Sequence, residues 1–168
     1  MQLKRLVLLV VINFFFQSSS ASTLVDATFN VPASKTFSTY TLKKISPKYT
    51  ELDYDALMSA RFYIRTKLNS SWPDDDFTID ENRKGLSYDE SNFNKRVFFT
   101  YTVLNSSEDK VLGCIYIKPS SNKKFDASVF IWTRQDLPEQ KLHNLLLGDI
   151  KIWLSNDWPF KNIDYSLN

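Results

Sequence analysis

Ala127-Ser128-Val129-Phe130-Ile131-Trp132-Thr133 runs into Arg134-Gln135-Asp136-Leu137-Pro138, then into a long segment of helical spacing, and ends in Phe160-Lys161-Asn162-Ile163-Asp164-Tyr165. The first seven residues are rich in β-branched and aromatic types, which suit a strand. Asp136 can cap a helix whose early turn holds Pro138 and Glu139. Leu142, Leu145, Leu146, Ile150, Trp153 and Leu154 give that helix one apolar face. Asn156-Asp157-Trp158-Pro159 stops it, because proline cannot continue a helix. Strand, helix and strand in this order predict a right-handed crossover with parallel pairing or near-pairing.

Upstream, Val97 to Leu104 and Val111 to Ile117 read as two strands joined by the polar turn Asn105 to Lys110, an antiparallel hairpin. Val111 to Ile117 is apolar on both faces, as a central strand should be. Before the hairpin, Leu52, Ala56, Leu57, Ala60, Ile64 and Leu68 fall on one face of a helix from Glu51 to Leu68. Thr78-Ile79-Asp80-Glu81 matches a capping box and opens a second helix that runs to about Phe93 or Lys95. Tyr40 to Ile45 alternates and reads as the first strand. The expected order is β-α-α-β-β-β-α-β, an α/β (α+β) domain over residues 39–168 with a sheet of mixed direction. Residues 22–38 form an irregular lead-in that packs by Phe29 and Val31.

The N-terminus has the three parts of a secretory signal peptide. Lys4 and Arg5 precede an apolar run, Leu6 to Phe16, and Gln17-Ser18-Ser19-Ser20-Ala21 turns small and polar. Cleavage after Ala21 is expected, which makes residues 1–21 a leader and the product an exported protein, periplasmic or secreted. Eleven helical residues reach only about 16 Å, so no stable membrane anchor is expected. Without Lys4 and Arg5 the remaining chain carries 19 basic and 19 acidic residues. With no Lys/Arg stripe, nucleic-acid binding has no support. Three glycines leave no glycine-rich phosphate loop, and a single histidine, His143, leaves no histidine metal site. Asp74-Asp75-Asp76 lacks the spacing of a calcium loop, so no metal is expected. Cys114, inside an apolar run, reads as a buried small hydrophobe.

The element order and the local motifs together resemble the GNAT (GCN5-related) N-acyltransferases. The motifs are Glu51-Leu52-Asp53-Tyr54-Asp55-Ala56-Leu57-Met58-Ser59, Trp72-Pro73, Thr78-Ile79-Asp80-Glu81-Asn82, Phe99 to Leu104, Gly113 to Ser120, Asp126 to Val129, and Trp153-Leu154 with Trp158-Pro159-Phe160. The match is to a little-characterised bacterial group and covers roughly residues 29–168. It implies a GNAT-like fold, shortened at its C-terminus relative to the family, in which two parallel strands splay and acetyl-CoA or another acyl-CoA lies in the gap. On that reading the backbone near Ile131, Trp132 and Thr133 holds the acyl arm, and Arg134 and Gln135 meet the diphosphate. An amine acceptor enters from the first helix, near Asp53, Tyr54 and Arg65. The family's diphosphate loop carries glycines that bring backbone amides close to the anion. Here no glycine follows Gln135 before Gly148, Asp136 adds a negative charge, and Pro138 lacks an amide hydrogen. No catalytic residue is marked by a motif. Two functions therefore stay open: an acyltransferase acting on an amine, and an exported, non-catalytic binding protein on the same scaffold.

Overall fold

The computed structural model describes residues 22–136 and 139–168. The leader expected at residues 1–21 and the Leu137-Pro138 part of the expected diphosphate loop lie outside the described residues. Among the described residues the chain forms β1 (Ser34–Thr36), β2 (Tyr40–Lys44), α1 (Thr50–Ser59), α2 (Arg61–Leu68), α3 (Ile79–Asn94), β3 (Phe99–Asn105), β4 (Val111–Lys118), β5 (Ala127–Thr133), α4 (Glu139–Asp157) and β6 (Ile163–Asp164). The strands make one sheet in chain order. All neighbours are antiparallel except β5 and β6, which run parallel as the crossover requires. The sheet is of mixed direction, within an α/β (α+β) architecture.

Three details depart from the sequence reading. The lead-in is not wholly irregular: β1 pairs with β2, from Ser34 opposite Lys43 to Thr36 opposite Thr41. The helix expected from Glu51 to Leu68 breaks at Ala60, whose ψ is 0°. There Ser59 Oγ donates to the Ala56 carbonyl at 2.7 Å and accepts the Gln135 amide at 3.2 Å. A serine bonded back to its own helix bends it, and the second bond ties the bend to the end of β5. The last strand is only two residues long.

Alternation along β5 assigns its side chains to two cores. Ala127, Val129 and Ile131 face α4 with Leu146, Ile150, Trp153 and Leu154. Phe130 and Trp132 face α1 and α3, with Ala56, Leu57 and Leu86. The capping box at the start of α3 is formed: Glu81 N donates to Thr78 Oγ1 and Glu81 Oε2 accepts the Thr78 amide. β3 and β4 change register between Val103 and Leu104. Beside that irregularity a Cβ on Gly113 would lie 2.1 Å from the Trp132 carbonyl oxygen, so no side chain fits.

Candidate active site

A cavity of about 410 Å³ opens on the α1–α3 face of the sheet, large enough for a small molecule. Its floor is Tyr116 and Lys118 of β4 with Ser128 and Phe130 of β5, and α1 contributes Asp53 and Leu57. From α3 come Glu81, Asn82, Gly85, Leu86, Tyr88 and Asp89. Leu68, Trp72, Phe77 and Leu167 complete the wall. The lining is mainly apolar, and its charged groups are three carboxylates and one ammonium.

Asp53 is buried beneath this cavity. Its Oδ2 accepts from Asn82 Nδ2 at 3.0 Å and its Oδ1 from Cys114 Sγ at 3.3 Å. Burial pushes its carboxyl up to about 6, against the hydrogen bonds from Asn82 and Cys114. Burial also pushes the Cys114 thiol well up, helped by the Asp53 charge, so the thiol is a donor and not a nucleophile. Tyr116 is raised by burial as well, and the Trp132 indole donates to its hydroxyl at 3.4 Å. Asp89, half-buried, accepts from Thr100 Oγ1 at 3.0 Å, and its carboxyl is raised by burial. Among the described residues no three His, Cys, Asp or Glu side chains are placed to hold a metal ion.

Next to the cavity β5 loses its partner. β6 pairs with it only at Ala127–Ile163 and Ser128–Asp164. Beyond Ser128 the same edge of β5 meets a side chain: Ile131 N donates to Asn168 Oδ1 at 2.9 Å, and the Val129 carbonyl accepts from Asn168 Nδ2 at 2.8 Å. Here a parallel pair of strands separates partway, beside a pocket on one face of the sheet. No protein-family model matches the sequence, and no curated protein matches it. Solved acetyltransferases do match the structure. A ribosomal-protein-S5-alanine acetyltransferase from Vibrio fischeri superposes with a TM-score of 0.56 at 14% identity, over 73% of this chain and 67% of that one.

The fold is that of the GNAT-like N-acyltransferases. The acetyltransferase RimL in complex with coenzyme A matches with a TM-score of 0.55 at 11% identity, covering 76% of this chain and 70% of that one. The microcin C7 self-immunity acetyltransferase MccE, bound to acetyl-CoA and AMP, matches at 0.52 and 14% identity over 73% and 67%. At these identities the likeness carries the fold and nothing finer.

Within this GNAT-like frame the residues expected from sequence take different places. Asp53 lies in the cavity wall. Tyr54 and Arg65 hold that wall from behind: the Tyr54 hydroxyl donates to the Phe77 carbonyl at 2.9 Å, and Arg65 donates to the Pro73 carbonyl and pairs with Asp75. They position the loop bearing Trp72 and Phe77. Ile131, Trp132 and Thr133 are buried on β5, where Ile131 offers its amide to the strand's open edge. Arg134 is buried and committed. It pairs with both carboxylate oxygens of Asp136 at 2.6 Å and with Asp55 at 2.9 Å, and its amide donates to Leu112. The Arg134 hydrogen bond pulls Asp136 down to about 2, and Asp136 spends its oxygens on that ion pair. Gln135 turns back, donating to the Thr133 carbonyl at 3.1 Å.

The fit to an acyl-CoA is therefore uneven. One donor and one acceptor on the edge of β5 match a secondary amide, which the Asn168 carboxamide mimics. The guanidinium expected to meet the diphosphate is already neutralised by two carboxylates. The sequence reading missed Asn82, Asp89, Tyr116 and Phe130. Position 130 was recoverable from the alternation of β5, whereas Asp89 and Tyr116 carry no local signal.

Proposed function

We propose that this chain is an acyltransferase that moves an acyl group from a thioester donor to an amine held in the cavity. The observation that carries the reading is the loss of pairing on β5 after Ser128, directly beside the cavity. The edge groups of Val129 and Ile131, paired with Asn168 in this structure, would receive an amide of the donor arm once Asn168 is displaced. Acyl-CoA is the donor class the fold implies, and it supplies an acyl carbonyl activated by a thiolate leaving group. Asp53 is the base: with its carboxyl near 6 it is ionised at neutral pH and takes a proton from the acceptor ammonium. The free amine then attacks the carbonyl carbon, the C–N bond forms, the C–S bond breaks, and the leaving thiolate takes up the proton that the nitrogen sheds on becoming an amide.

Acetyl-CoA turnover with a panel of primary amines, followed by thiol release, tests this. Release requires both substrates, and Asp53→Asn lowers kcat by about 10²-fold or more. The limb of the pH–rate profile near 6 belongs to Asp53 and disappears in the variant. No release with any amine overturns the reading.

A second reading, a non-catalytic binding protein on this scaffold, is favoured by one observation, the ion-paired state of Arg134. Titration with coenzyme A separates the two: no heat at millimolar ligand leaves the binding protein. Export belongs to the proposal too. Amino-terminal sequencing of protein from its source cells finds Ser22 first if residues 1–21 are a leader, and an exported enzyme would then draw on a donor other than cytosolic acyl-CoA.

A further inference from the structure

Four of the large apolar side chains exposed on this protein, Leu68, Trp72, Tyr88 and Leu167, line the same cavity. Apolar side chains gathered around one opening mark a binding site, whereas scattered ones need no explanation. Charge is arranged as selectively. Asp53, Glu81 and Asp89 line the cavity against the single ammonium of Lys118. That ammonium lies over the Phe98 and Tyr116 rings, at 5.0 and 5.1 Å. Glu81 is spent on the capping box, which leaves Asp53 below and Asp89 at the side facing the space.

Gly85 supplies an independent sign. It sits inside α3, where glycine costs about 1 kcal/mol relative to alanine. Packing does not demand it, since a Cβ built there meets nothing within 4 Å. It lies on the flank of α3 that carries Glu81 and Tyr88, one turn away on either side, and it lines the cavity with them. The missing side chain keeps the opening clear.

We infer that the cavity takes a compact primary amine with a flat, aryl-sized apolar body, its ammonium held by Asp89 and Asp53. The inference rests on the acyltransferase reading for its chemistry and stands apart from it for binding. A guest with charge but no apolar body leaves the exposed Trp72 ring uncovered. A guest with the body but no charge leaves the carboxylates unmatched.

The test is equilibrium binding to the full chain at pH 7.5, by titration calorimetry or ligand-observed NMR. The probes are 2-phenylethylamine, 2-phenylethanol and ethanolamine, with coenzyme A titrated separately. The amine with the aryl body binds at least about tenfold more tightly than either partial mimic, as expected for a hydrogen-bonded charge added to apolar burial. Asp89→Asn keeps an acceptor for Thr100 and removes one of the two charges, so it narrows the gap between the amine and the alcohol while leaving the alcohol's affinity unchanged. Gly85→Phe closes the opening and weakens both aryl probes, while circular dichroism reports that the fold is intact. Equal binding of amine and alcohol, or no effect of Gly85→Phe, overturns the inference. Binding of coenzyme A without binding of the aryl amine refutes this substrate class and leaves the transfer reading standing. The reverse result refutes the donor and keeps the amine site.

Discussion

The two faces of the sheet are built from the same strands and differ in what covers them. On the α4 face Trp153, Trp158, Phe160, Phe99 and Tyr101 stack edge to face and ring on ring, with Trp158 within 5.6 Å of Phe29, Phe99, Trp153 and Phe160. On the α1–α3 face the same sheet meets a carboxylate, a carboxamide, a thiol and a phenol, and beyond them open space. Aromatic packing without voids gives stability. Buried polar groups beside a cavity cost stability and supply a place for chemistry. The contrast shows one strand, β5, serving both: its odd residues complete the packed core and its even residues Ser128 and Phe130 line the site.

Truncation on the two faces probes this contrast most strongly. Trp158→Ala opens a void in the aromatic cluster and costs about 3–5 kcal/mol. Phe130→Ala costs less, by at least about 1 kcal/mol, because part of its ring already borders the cavity and has fewer contacts to lose. Urea unfolding of both variants checks the difference, and equal losses would mean that the cavity is filled or collapsed in solution.

The next effect concerns the buried carboxylate. The folded state holds the Asp53 carboxyl at about 6, above its ordinary 3.8, so folding favours the protonated form. The stability this gives is fully present below pH 4 and is lost as pH rises through 6. Asp53→Asn should therefore melt with the parent at pH 4 and exceed it at pH 8, by at most about 3 kcal/mol. Thermal melts at both pH values test the sign. A variant less stable at pH 8 would show that the charge is fully compensated by Asn82 and Cys114.

Smallest is the capping box, which starts the helix that carries Asn82, Gly85 and Asp89. Thr78→Ala leaves the first turn of α3 short of an acceptor and costs about 1 kcal/mol. Hydrogen exchange should rise in that turn while the α4 core keeps its protection. Uniform acceleration would mean that the two faces open together.

Much of the fold was written in local sequence. Asp80 and Glu81 after Thr78, the β-branched run of β3, the long apolar face of α4 and the proline after Trp158 each act over a few residues, so the elements were legible. The break at Ala60 was not, because its cause is the hydroxyl of Ser59 reaching Gln135, which lies 76 residues away. β1 was missed because three residues of Ser, Lys and Thr carry no pattern of their own and pair only once β2 is present.

The site divides along the same line. The sequence by itself set which positions of β5 share a face, where α3 begins, and that no glycine follows Gln135 before Gly148, since periodicity, capping and composition need no partner. Tertiary structure alone decided that Asp53 meets Cys114 across 61 residues, that Arg134 is neutralised by Asp55 across 79, and that Asn168 covers the open edge of β5. Such contacts depend on which segments the sheet brings together, and burial there changes both the charge a carboxyl prefers and the partners a guanidinium can still take.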